Sequence, residues 1–163
     1  MNDLDDTRGL THSQSMENNS ELESFILSET KEVFNFLGQY SFSAPRFHID
    51  QQIHMVTITF VGENLAIEII FDKREQHLEC KIARVTNGKV ASEYAFDENR
   101  RKVREDLASI LRQRGIREKL FRNVSKLELK EQIRITLEDF ASMLKIHGEH
   151  ILKDSPEALS PFD

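Results

Sequence analysis

Between residues 52 and 94 apolar and polar side chains alternate with a period of two, and three turn signals interrupt the pattern. Neighbouring positions on a strand point to opposite faces, so such a stretch folds as an antiparallel meander with one apolar and one polar side. Gly62-Glu63 predicts a two-residue hairpin turn that pairs Phe60 with Leu65, Ile58 with Ile67, Val56 with Ile69 and His54 with Phe71. A four-residue loop at 73–76 then sets Phe71 opposite Leu78, Ile69 opposite Cys80 and Ile67 opposite Ile82. The same face stays apolar across three strands, as register selection requires. Asn87-Gly88, the strongest short hairpin signal, leads to a fourth strand near 89–94. A tight turn there places Glu93 opposite Ile82, so a bulge or an edge strand with an inward charge is expected. Phe47 and Ile49, following Pro45, predict a short preceding strand.

Three amphipathic helices flank the meander. The first opens at Ser20, with Glu23 completing a capping box, and ends at Gly38; Leu22, Phe25, Ile26, Val33, Phe36 and Leu37 form its apolar stripe. A second is capped by Asp97, turns Val103, Leu107, Ile110 and Leu111 inward and ends near Gly115. The third starts from the Ser125–Glu128 box, carries Leu129, Ile133, Leu137, Phe140, Ala141 and Leu144 on one face, and continues to Ile151. The predicted fold is therefore α+β, in the order α-β-β-β-β-α-α. It is a four-stranded antiparallel meander with an N-terminal helix and two C-terminal helices on one face. Residues 1–19 read as a disordered acidic tail, 20–152 as a single α+β domain, and 153–163, with two of the three prolines, as a flexible tail.

The chain has 163 residues and a formal charge of −6, so no general attraction to nucleic acid or anionic membrane is expected. Its lone cysteine, Cys80, has no partner for an internal disulfide, and no apolar run approaches the roughly 18 residues of a membrane span. The first residues lack the basic and apolar regions of a secretory signal, and a cytoplasmic protein is expected.

Candidate functional residues fall in four places. The outer face of the sheet exposes Met55, Thr57, Glu68, Ile70, Lys81, Val85 and Tyr94, a mixed surface suited to a protein partner, with Glu68 and Lys81 placed to form a cross-strand ion pair. Asp72, Glu79 and Lys81 share that face. They form an Asp…Glu-x-Lys pattern that resembles nucleases in which two carboxylates hold a divalent metal and a lysine helps activate water. Residues 100–122 hold nine Lys or Arg against three acids, a local charge of +6; Arg100, Arg101, Arg104 and Arg112 are its candidate phosphate ligands. A solvated helix face is the favoured account of this charge, and nucleic acid contact through the segment is the alternative. His147 and His150 stand one helical turn apart, but no third metal ligand is placed, so no metal site is expected. Cys80 is predicted inside the sheet, where a thiol is inert. No nucleophile elbow, phosphate loop or dinucleotide fingerprint occurs, and no cofactor is expected.

The runs Phe36-Leu-Gly-Gln-Tyr-Ser-Phe42 and Ile67-Glu-Ile-Ile-Phe-Asp-Lys-Arg74 resemble small bacterial α+β proteins, mostly uncharacterised, some of which are immunity proteins that neutralise a cognate toxin. The resemblance spans residues 20–145 and implies a stoichiometric, acidic protein binder without catalysis. A secretion-chaperone-like binder belongs to the same class, and a homodimer is compatible with either.

Overall fold

The computed structural model describes residues 12–92 and 95–162, with side chains described for 18–92 and 95–159. Helix α1 (His12–Val33) leads through a 3-10 turn (Asn35–Gln39) into strands β1 (Arg46–Asp50), β2 (Met55–Val61), β3 (Leu65–Asp72), β4 (His77–Thr86) and β5 (Lys89–Val90). A short β6 (Arg104–Asp106) precedes α2 (Leu107–Gln113), and α3 (Leu129–His147), α4 (Glu149–Leu152) and a 3-10 segment (Pro156–Phe162) complete the fold. The architecture is α+β with an antiparallel sheet. It has six strands rather than four: β1 to β5 are paired in order, and β6 also pairs with β4.

The register between β3 and β4 is the expected one, with Phe71 opposite Leu78, Ile69 opposite Cys80 and Ile67 opposite Ile82. The β2–β3 register differs by two residues: Phe60 faces Ile67, Ile58 faces Ile69 and Val56 faces Phe71. An even shift keeps every side chain on its face, so the apolar pattern alone does not choose between the two registers. The choice is made by Asp154, far away in sequence. Its carboxylate accepts hydrogen bonds from the amides of Glu63 (2.6 Å), Asn64 (3.1 Å) and Leu65 (2.7 Å) and holds them in an open turn. Gly62 is required there because a Cβ would lie 2.7 Å from Asp154 Oδ1. His54, expected opposite Phe71, instead sits in the β1–β2 turn at φ +58°.

At Asn87-Gly88 both residues have positive φ (+53° and +74°), as an Asn-Gly hairpin turn demands. Strand β5 nevertheless stops at Val90, and β6 takes the edge of β4 beyond it, setting Glu105 opposite Ile82. Glu93 and Tyr94 lie outside the described residues. Asp97 does not cap a helix; its carboxylate ties the turn at 97–101 by accepting from the amides of Asn99 and Arg101, and α2 begins ten residues later.

The helix boundaries also move. Helix α1 starts at His12, so Ser20 and Glu23 lie inside it, and Glu23 forms an ion pair with Lys73 at 2.8 Å rather than a capping box. It ends at Val33, before Gly38. At Ser125 the hydroxyl turns to Asn123 Oδ1, and α3 begins after Glu128 without a side-chain cap. Within the expected C-terminal tail, Asp154, Ala158 and Leu159 are buried against the rest of the fold. Of the expected N-terminal tail, 12–19 are helical and 1–11 lie outside the described residues.

One continuous core joins Ile26, Phe34 and Leu37 of the first helical segment, the inner face of β2–β4, Leu107, Ile110 and Leu111 of α2, and Ile133, Leu137, Phe140 and Leu144 of α3. All three main helices thus bury their stripes against the same side of the sheet. Among the described residues no helix packs on the opposite side.

Candidate functional site

Pairing across the strands orders the open face into rungs. His48, Thr57, Ile70 and Glu79 form one; Arg46, Thr59, Glu68, Lys81 and Asp106 form the next; Asp50, Met55, Asp72 and His77 form a third. The rungs differ from the sequence expectation at β2, where the two-residue shift puts Thr59, not Thr57, beside Glu68. A concavity of about 390 Å³ lies over this face, bounded by His48, Met55, Thr57, Ile70, Glu79 and Lys81. Of the expected partner-binding residues, Met55, Thr57, Glu68, Ile70 and Lys81 converge here. Val85 does not, because it packs with Val61, Ala66, Ala83 and Val90 in a separate small cluster. Tyr94 lies outside the described residues.

The expected Glu68–Lys81 pair does not form. Glu68 Oε1 accepts from Arg104 Nε at 2.7 Å, both side chains being 9% exposed, and Arg104 also donates to the carbonyls of Ala91 (3.0 Å) and Ser92. Lys81 turns to Glu79 Oε2 at 3.7 Å. Guanidinium wins because its fork satisfies a carboxylate and two carbonyls at once, which a single ammonium on the neighbouring strand does not. This buried pair forms the end wall of the concavity.

Asp72, Glu79 and Lys81 all reach the outer face, as their parity requires, but on successive rungs. Asp72 Oδ1 is occupied by the amides of Arg74 (2.8 Å) and Glu75 (3.1 Å), a turn-forming role. Among the described residues no three His, Cys, Asp or Glu side chains come together to hold a metal ion. The structure therefore joins Glu79 to Lys81 without bringing Asp72 into a ligand cluster.

The basic segment is largely consumed in holding an irregular stretch of chain. Arg101 pairs with Asp97, Lys102 with Glu105 and Arg104 with Glu68. Arg112 donates to the carbonyls of Ile116 and Glu118, Arg114 to those of Glu157 and Ala158, and Arg122 to Asp139 and Glu138. Arg100 sits in the turn at φ +62°. Residues 116–128 have no regular hydrogen-bond ladder, and Arg112 supplies donors to two of the carbonyls in that stretch. Arg104 and Arg112 are accordingly engaged in contacts that hold the fold.

A second cleft of about 340 Å³ opens where β4 runs past the end of β6, between Leu78, Asp106, Phe121 and Phe140. Burial raises the Asp106 carboxyl above its ordinary value, with Lys81 acting in the opposite direction. Cys80 lines this cleft from within the sheet, and burial first, then the charges of Asp106 and Glu68, push its thiol far up. Its thiolate is thus suppressed. Cys80 is expected to resist a thiol reagent in the native chain and to react once denaturant is added; stoichiometric native labelling, read by mass spectrometry, would contradict this. His147 faces Glu118 at 3.2 Å, while burial and then Arg114 lower the His150 pKa; the two imidazoles serve separate neighbourhoods.

No family model matches the chain, and no curated protein or solved structure is significantly similar to it. No helix among the described residues is long and apolar enough to cross a membrane.

Proposed function

We propose that this chain is a non-catalytic bacterial cytosolic protein-interaction module, of the immunity type, that engages a protein partner across the open face of the sheet. The observation that carries the reading is the concavity over Met55, Thr57 and Ile70, a half-buried floor with a charged rim on a face that no helix among the described residues covers. Interfaces combine such an apolar centre with a polar surround. The acidic net charge also suits a stoichiometric binder of a basic partner.

The reading is tested by tagging the native chain in its own host and identifying what co-purifies with it, beside a Met55→Asp, Ile70→Asp variant. A protein bound at equal stoichiometry to the native chain is expected to be lost, by at least about tenfold in affinity, from the variant. Both positions are partly exposed, so the thermal midpoint should move little. A partner held equally by both chains would place the interface elsewhere.

A further inference from the structure

β1 is the terminal strand of the sheet, and among the described residues no strand pairs with its outer edge. Which of its backbone groups face that edge follows from the neighbouring ladders. The Gly62 amide bonds to the Leu65 carbonyl and the Lys73 amide to the His54 carbonyl, so even-numbered positions flanking β2 face β3 and odd-numbered positions face β1. With Thr59 opposite Arg46, Thr57 opposite His48 and Met55 opposite Asp50, those three β1 residues bond inward. The amides and carbonyls of Phe47 and Ile49 therefore point off the sheet.

We propose that a second copy of this chain pairs antiparallel with β1 about a twofold axis at His48. In that register Phe47 of each copy faces Ile49 of the other. Such a pair exchanges two N–H···O=C bonds, using the backbone groups that the fold leaves outward. Both side chains then lie on the helix side of the sheet, where Phe47 is 38% exposed in the single chain. On the opposite side Arg46 meets Asp50 of the other copy, twice by symmetry. Among the described residues Arg46 has no acidic partner of its own, while Asp50 Oδ1 accepts from the amides of Gln52 and Ile53. The five-residue strand Arg-Phe-His-Ile-Asp is thus complementary to its own reverse in charge, in apolar contact and in hydrogen-bond phase. Shifting the axis to Phe47 would put Ile49 against Pro45, which has no N–H, and shifting it to Ile49 would put Phe47 against the turn residue Gln51. An isologous contact of this kind closes at two copies.

Sedimentation of the native chain is expected to show a mass of twice 19.0 kDa. Arg46→Asp sets two acids opposite each other at both ends of the pairing and should raise the dissociation constant about tenfold or more. Exchanging the two charges in one chain, Arg46→Asp with Asp50→Arg, should recover the dimer. A covalent test does not depend on the Asp50 turn: residues opposite each other in a non-hydrogen-bonded pair have Cβ atoms about 5 Å apart, so His48→Cys should form a disulfide dimer on mild oxidation. Thr57→Cys, on the same face one strand inward, should not. A native chain that sediments as a monomer, or a His48→Cys chain that cross-links no faster than Thr57→Cys, would overturn the proposal. So would a dimer indifferent to Arg46→Asp.

Discussion

Replacing Asp154 with alanine is expected to lower the stability by about 3 kcal/mol or more, because amides at Glu63, Asn64 and Leu65 lose their acceptor together and that of Leu65 is buried. Asp154 also sits at φ +55°, a conformation that aspartate tolerates better than alanine. For a chain of this length that corresponds to a fall in thermal midpoint of roughly 10 °C. Two further variants separate the contributions. Asp154→Gly removes the backbone strain and should recover only a minor part of the loss. Asp154→Asn keeps the shape but turns an N–H donor toward backbone donors, and it should remain well below the native value. Gly62→Ala should destabilise through the same contact, since its new methyl would meet the carboxylate at 2.7 Å. A midpoint for Asp154→Ala within a degree of native would mean that the turn at 62–65 stands on its own.

The second large effect is expected at the Glu68–Arg104 pair. Arg104→Met leaves the Glu68 carboxylate, 9% exposed, without its counter-charge and releases the carbonyls of Ala91 and Ser92. Breaking a buried pair from one side costs about 3–5 kcal/mol, largely from the charge left behind. Replacing both partners, Glu68→Leu with Arg104→Met, removes that charge and should restore most of the stability. Urea titrations of the two singles and the double complete the cycle. If the double variant were as unstable as Arg104→Met, the loss would lie in the carbonyl contacts at 91–92 rather than in the stranded carboxylate. The cycle thus separates electrostatics from tethering of the segment after β5.

These two contacts also explain which parts of the fold were legible in the chain and which were not. The β3–β4 register was readable because a short loop fixes it locally and six apolar side chains agree on one face. The β2–β3 register was not, because two registers of equal parity bury the same residues and the choice rests with an aspartate ninety residues away. Sequence periodicity likewise carries no mark of β6, which is three residues long and entirely charged. It forms because Arg104 reaches the Glu68 carboxylate and Glu105 approaches Lys102 beside the ladder. The segment around Pro156 and Pro161 read as a tail through its helix-breaking residues. Its one signal to the contrary was the pair Ala158-Leu159, apolar and adjacent, which a 3-10 turn carries into the core. The outer face was legible as a surface, with Met55, Ile70, Glu79 and Lys81 correctly placed on it, but the partner of Glu68 was misassigned. A cross-strand neighbour was visible in the pattern, whereas an arginine arriving from a later strand was not.

The link between Asp154 and the turn at 62–65 also bears on how the chain is made. A ribosome adds roughly 5–20 residues per second, so the turn emerges several seconds before the side chain that holds it. Throughout that interval the meander can form with either even register, since the same face is buried in both. Commitment to the native pairing is therefore a late event in synthesis. A ribosome stalled between these points should present a nascent sheet still able to exchange registers, whereas one stalled after residue 154 has emerged should present a sheet resistant to amide exchange at Leu65.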